Sequence, residues 1–250
     1  MVYPDLETQA RALNRIAAFV EKADAPRDRV LSEAELSATL RTRGEAEPTY
    51  YIGHDYPATA LAAFFNTVLR SGVSLNPQEQ DLRSRLLRFE FFSESASGQL
   101  VVRVPERIVL SVAPEISLRL PAQDQRLKFA SLLRHELSHG EFFVNPAYQA
   151  YCLRAWNTLP DHQRRILIEE FARLGYDTTN PLLLANEFQA FLWEPLRGIF
   201  MDARLKKQGS SLAMLRAAFV EPLKSMNPPV TSILEIPGFD VPIVWREQST

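Results

Sequence analysis

The segment Phe129-Ala-Ser-Leu-Leu-Arg-His-Glu-Leu-Ser-His-Gly-Glu-Phe-Phe143 places polar side chains where a buried helix has no room for them. Leu132, Leu133, Leu137, Phe142 and Phe143 make it apolar on most of its sides, yet His135, Glu136 and His139 interrupt them as an HExxH string. At about 3.6 residues per turn, positions i and i+4 share a face, so the two imidazoles stack along the helix and reach one metal at about 2.0–2.1 Å. Glu136, one position on, points to the side of that face, where it holds a water without being a ligand. Buried polar groups without partners cost several kcal/mol, and a metal satisfies all three at once. The alternative is a surface helix with chance histidines and no metal.

Two histidines are not a complete site, because catalytic zinc takes a third protein ligand and keeps one position for water. The longer string HExxHxxGxxH is absent: Phe142 stands where its glycine belongs and Asn145 where its third histidine belongs. With one cysteine, Cys152, in the chain, no thiolate set is available, so nitrogen and oxygen must hold any zinc. Cys152 itself reads as a buried structural thiol. Glu187, in the later apolar segment Asn186-Glu-Phe-Gln-Ala190, is the expected third ligand, and small Ala190 lets that helix approach closely. Glu169 and Glu170 come next, on a helix whose charged face is expected to meet solvent. Glu141 follows His139 too closely and faces away, and Glu194 precedes Pro195 at a helix end. Without a metal, Glu187 is a buried glutamate paired with an arginine such as Arg197.

His135-Glu-Leu-Ser-His139 followed by Asn186-Glu-Phe-Gln-Ala190 resembles the gluzincin branch of the zincin metallopeptidases, over about residues 123–196. The resemblance implies zinc on His135, His139 and Glu187, carried by a pair of helices. It also implies Glu136 as general base, and hydrolysis of a peptide or protein substrate through a metal-activated water. Many gluzincins carry an aspartate one turn after the ligand glutamate, hydrogen-bonded to a zinc histidine. Phe191 occupies that position here, so the support must differ, and Asn186 or Gln189 are candidates for it. Tyr148, Tyr151, Tyr176 and His162 lie between the two metal helices and are candidate donors to the oxyanion. In zincins an edge strand beside the active-site helix pairs with an extended peptide, and Ile116–Leu120, or the strand before it, has the matching place in the sequence. The rival expectation is a zincin-like metal-binding protein with an interaction or regulatory role, against which the intact Glu136 argues.

The rest of the 250 residues predicts an α+β fold, mostly helical with a small central β-sheet, in one zincin-like unit. Residues 1–97 read as helical, with a capping box at Ser32-Glu-Ala-Glu35 and an Asn76-Pro77 start for a helix running to about Phe91. Thr49–Ile52 reads as a brief strand, Gly53-His-Asp-Tyr-Pro57 as a loop in which His54 is capped by Asp55 or else adds a ligand or an orienting contact to the site, and Ala58–Leu69 as a helix. Residues 98–121 read as a β-meander with strands near 100–104, 107–112 and 116–120. Residues 122–227 read as the helical metal-binding part, with helices near 123–143, 146–159, 161–174, 181–196 and 211–224, and 228–250 as an extended tail.

Composition narrows the function classes. Net charge is −2 with no block of like charges, against the basic stripe of a nucleic-acid binder. Only 9 glycines and no GxGxxG or P-loop string argue against a phosphate cradle. No apolar run reaches the ~18 residues of a membrane span. The start Met1-Val-Tyr-Pro-Asp lacks the basic end and apolar core of a signal peptide, which fits the cytoplasm or export with a leader absent from this chain.

Overall fold

The computed structural model describes residues 1–23, 25–46, 53–113, 122–193 and 199–227, with the single positions 48 and 230. Among them are ten helices and four short strands, so the fold is α+β and mostly helical. Helix α1 (Leu6–Glu21) starts where the Asp5 carboxylate accepts from Thr8 N at 2.6 Å. Helix α2 (Glu33–Thr42) opens on the expected capping box of Ser32 and Glu35. Strand β1 (Gly53–Pro57) leads into α3 (Ala58–Ser71), and α4 (Pro77–Arg88) begins with Pro77 in its first turn and a second capping box between Asn76 and Glu79. Leu13, Ile16, Tyr56, Phe64, Leu82, Leu86 and Val109 form the first hydrophobic core. Arg15 of α1 and Glu79 of α4 cross it as a buried pair, with Arg15 Nε 2.7 Å from Glu79 Oε1 and the second arm closing on Oε2.

The strands depart from the expected meander. Strands β2 (Phe92–Glu94) and β3 (Leu100–Val102) form one antiparallel pair, whereas β4 (Ile108–Val112) pairs with β1. Gly53–Pro57 is therefore a strand, not a loop, and α4 stops at Arg88 because β2 follows it. Glycine and proline at the two ends of the segment gave the turn signal. Five residues paired to Ile-Val-Leu-Ser-Val override it, because proline is tolerated at a strand end. The expected strands at Thr49–Ile52 and Ile116–Leu120 lie outside the described residues.

The later helices fall close to expectation: α5 (Ala122–Val144), α6 (Pro146–Asn157), α7 (Asp161–Arg173), α8 (Pro181–Trp193) and α10 (Leu212–Leu223). An unexpected helix, α9 (Ile199–Lys206), precedes the last of these. A second core joins Phe142, Tyr148, Cys152, Trp156, Phe171, Phe188 and Phe191, with Cys152 a buried free thiol as expected. The β1–β4 ribbon stands between the two cores. His54, Tyr56, Val109 and Ser111 are buried on the face toward the first. Leu110 on the other face meets α5, where it comes so close to Gly140 that a Cβ there would lie 3.1 Å from Leu110 Cδ1. No helix among the described residues is long and apolar enough to cross a membrane.

Candidate metal centre

Helix α5 carries His135, Glu136 and His139 inward between α8 and the β1–β4 ribbon. Their exposures are 3%, 3% and 2%, and Glu187 of α8 is 3% exposed. One donor atom each from His135, His139 and Glu187 lies within 4.8 Å of the others. His139 Nε2 is 4.0 Å from Glu187 Oε1. Donors held by one tetrahedral zinc at about 2.0–2.1 Å stand about 3.4 Å apart, so a small contraction brings this set to that spacing. The imidazole rings cross edge-on with centroids 4.7 Å apart. Glu187 Oε2 is buried and makes no hydrogen bond among the described residues. A buried carboxylate with one unsatisfied oxygen, set against two histidines, is the chemistry a divalent cation would complete, so the residues present fit such an ion. Burial raises the Glu187 carboxyl above its usual range, and the two histidines oppose that rise.

The other carboxylates weighed from sequence do not join this set. Glu141 accepts from Asn145 Nδ2 at 2.7 Å, Glu169 pairs with Arg204, and Glu170 lies 2.6 Å from Arg173. Glu194 and Arg197 lie outside the described residues. Among the candidate oxyanion donors, Tyr148 is fully buried behind α8, Tyr151 gives its hydroxyl to the Phe219 carbonyl at 2.6 Å, and His162 is exposed on the first turn of α7. Tyr176 is packed edge-on against Phe171, with the Lys22 ammonium 4.9 Å above its ring.

The Gly53-His54-Asp55 segment reaches the site through Gly53 and Asp55 and not through His54, the residue the sequence singled out. Asp55 does not cap His54. A strand turns alternate residues to opposite faces, so His54 lies on the core side, where its Nδ1 is 3.0 Å from the Tyr56 hydroxyl. Burial there lowers the His54 imidazole to about 3. Asp55 points the other way and sets its Oδ2 3.4 Å from His139 Nδ1. Asn186 Nδ2 donates to the same oxygen at 3.3 Å, so Asn186 meets Asp55 and not a histidine. Burial pushes the Asp55 carboxyl up to about 8, with the Asn186 bond working against it. Metal-binding histidines commonly give their second nitrogen's proton to a carboxylate, and Asp55 stands where it would receive that of His139. Phe191, where a gluzincin aspartate would stand, packs edge-on against His135 with centroids 5.5 Å apart. Gly53, two residues before Asp55 and on its face, lies against the carboxylate of Glu136: a Cβ at Gly53 would come within 1.8 Å of Glu136 Oε1. Period-two spacing of Gly53 and Asp55 was the available signal, hidden by the loop-like composition of their segment.

No family model, curated protein or solved structure matches this chain.

Proposed function

We propose that the chain is a zinc-dependent metallopeptidase, and the observation that carries the proposal is the convergence of His135, His139 and Glu187 within 4.8 Å, with Glu136 beside them. His135 and His139 on α5 and Glu187 on α8 would hold the metal. When bound, zinc polarises the substrate carbonyl and lowers the pKa of a water molecule. Glu136 takes the water's proton as general base and returns it to the leaving amine. Asp55, its Oδ2 3.4 Å from His139 Nδ1, would orient that ring as a proton acceptor, and Gly53 leaves the space in which the Glu136 carboxylate sits. Enclosure of all four side chains at 2–3% exposure favours a second reading, a metal-binding protein that performs no turnover and serves in interaction or regulation.

Protein purified without chelator and assayed for metal tests the site. About one equivalent of zinc is expected, and less than about a tenth, with no uptake on addition, removes it. Glu136→Gln compared with wild type on a peptide library separates the two readings. Retained zinc with lost cleavage supports the peptidase; equal cleavage by both proteins takes Glu136 out of the mechanism. A wild type that holds zinc and cleaves nothing favours the second reading.

A further inference from the structure

The candidate metal centre is a cleft with α5 as its floor, β1 as one wall and α8 as the other. Its four principal side chains are 2–3% exposed, so a reagent or a substrate reaches them only when part of their cover moves. The walls belong to different cores: β1 contributes Tyr56 to the first, and α8 contributes Phe188 and Phe191 to the second. Asn186 of α8 meets Asp55 of β1 at 3.3 Å. A second tie joins the end of α1 to the turn that leads into α8. Asp177 N donates to the Glu21 carbonyl at 2.9 Å and Ala23 N to the Gly175 carbonyl at 3.3 Å, with Lys22 and Tyr176 opposed as an antiparallel pair between them. Lys22 Nζ donates to the Leu174 carbonyl at 2.8 Å, and Arg27 Nη2 reaches the Lys22 carbonyl at 2.8 Å and Asp177 Oδ2 at 3.3 Å. From this strap an aromatic row leads to the centre: Tyr176 packs on Phe171, Phe171 on Phe191 and Phe191 on His135, with ring centroids 6.1, 5.5 and 5.5 Å apart.

The hydrogen bonds across the strap are exchanged for bonds to water when it opens, so the net contribution of each is small. Lys22 is 4% exposed, and burial lowers its ammonium below the usual range, with the Glu21 carboxylate opposing. Separation returns hydration to that charge. The floor of the cleft is held otherwise. Val112 of β4 packs with Phe129 and Leu132 of α5, and Leu110 lies against Gly140, contacts whose loss exposes apolar surface. Local opening follows the route with the fewest apolar contacts to lose. Here that route parts the strap and keeps the contact of α5 with the β1–β4 ribbon as a hinge.

We propose that residues 21–23 and 174–177 form a latch whose separation lets α8 swing away from β1 and admits substrate to the enclosed centre. What enters rests on the metallopeptidase reading; that the latch opens does not. Enclosure at rest is then compatible with turnover, at a rate scaled by the open fraction.

Carbethoxylation of the zinc-free full chain by diethyl pyrocarbonate, read residue by residue by mass spectrometry, tests the latch without metal or turnover. His162, exposed on α7, is the internal standard, while His135 and His139 react only from the open form. An antiparallel pair whose hydrogen bonds lie on the flanking residues holds its Cα atoms about 4.5 Å apart, within the span of a disulfide. Lys22→Cys combined with Tyr176→Cys therefore cross-links the latch, and the native Cys152 is buried and takes no part. Oxidation should slow labelling of His135 and His139 about 10-fold or more relative to His162, and a phosphine reductant should restore it. Arg27→Ala removes the contacts of Arg27 with Lys22 and Asp177 and should speed labelling about 5-fold; it decides the matter alone if the double variant does not fold. Equal labelling in the oxidised and reduced forms overturns the proposal, as does unchanged labelling in Arg27→Ala. In the zinc-loaded double variant, cleavage of a library peptide should fall on oxidation by the same factor as labelling. Cleavage that ignores the disulfide overturns the latch as the entrance for substrate. Labelling gated by the disulfide in a chain that takes up no zinc and cleaves nothing supports the latch and removes the metallopeptidase reading instead.

Discussion

Adding a single methyl group at Gly53 should disable the general base while leaving the metal in place. A Cβ at this position would lie 1.8 Å from Glu136 Oε1, 2.4 Å from Cδ and 3.1 Å from Cγ, and these are its three nearest atoms. Non-bonded heavy atoms rest at about 3.5–4.0 Å, so the carboxylate must withdraw by more than about 1.5 Å. Misplacement of a catalytic group by about 1 Å can cost about 100-fold in rate, and Gly53→Ala should therefore lower kcat/KM by about 100-fold or more. The strand itself has no objection to alanine, which is less costly there than glycine, so the melting temperature should stay close to that of wild type. Zinc content should remain near one equivalent because the methyl is directed at Glu136 and not at the ligands. Turnover of a cleaved library peptide, metal analysis and thermal melting on one preparation read all three. Introduced into Glu136→Gln, the same substitution should cost nothing further, since both changes remove one function. Activity within threefold of wild type, or equal loss of zinc and activity, would refute the placement of Glu136 against Gly53.

Other outcomes follow from the same geometry. Asp55→Asn should weaken zinc about 10–100-fold by chelator competition, since an amide cannot supply the carboxylate that faces His139 Nδ1 at 3.4 Å. Glu187→Ala should abolish stoichiometric zinc, whereas Glu169→Ala, which only frees Arg204 at the surface, should leave it unchanged; the reverse result moves the third ligand. Zinc-free protein should lose stability as pH rises from about 4 toward about 8. The Asp55 carboxyl, raised by burial to about 8, and the raised Glu187 carboxyl keep protons in the folded state that the unfolded chain releases. Melting with chelator at pH 5 and pH 8 checks this, with Asp55→Asn flattening the difference; a zinc-free protein more stable at pH 8 would contradict it. Glu79→Gln should strand the buried Arg15 guanidinium, 2% exposed. It should cost about 3–5 kcal/mol in urea unfolding and leave zinc affinity as in wild type.

Much of the helical part was legible because its signals are local. Ser32 and Asn76 cap their helices through residues three positions on, and the histidine pair declares itself within one turn. Glu187 was legible by elimination, as a carboxylate in an apolar helix with no surface to occupy. Asp55 and Gly53 were not, because their meaning depends on pairing with Leu110 and Val112, a contact far along the chain that no local pattern encodes. The α9 helix escaped for a different reason: Ile199–Lys206 is eight residues with little amphipathic pattern. The strap that pairs Lys22 with Tyr176 joins two segments far apart in the chain, so neither segment could announce it.

Strand β1 serves two masters with alternate residues, and this makes its alignment against β4 indivisible. Sliding β1 by one position would turn His54 and Tyr56 toward α5 and drive the Asp55 carboxyl into the core of Leu13, Ile16 and Phe64. A molecule misaligned there would lose the packing of its first core and the assembly of its candidate metal centre in the same stroke. Insertions or deletions of a single residue just ahead of Asp55 should thus be as damaging as loss of a ligand, while a paired exchange at positions 54 and 56 that keeps their bulk would leave the centre untouched.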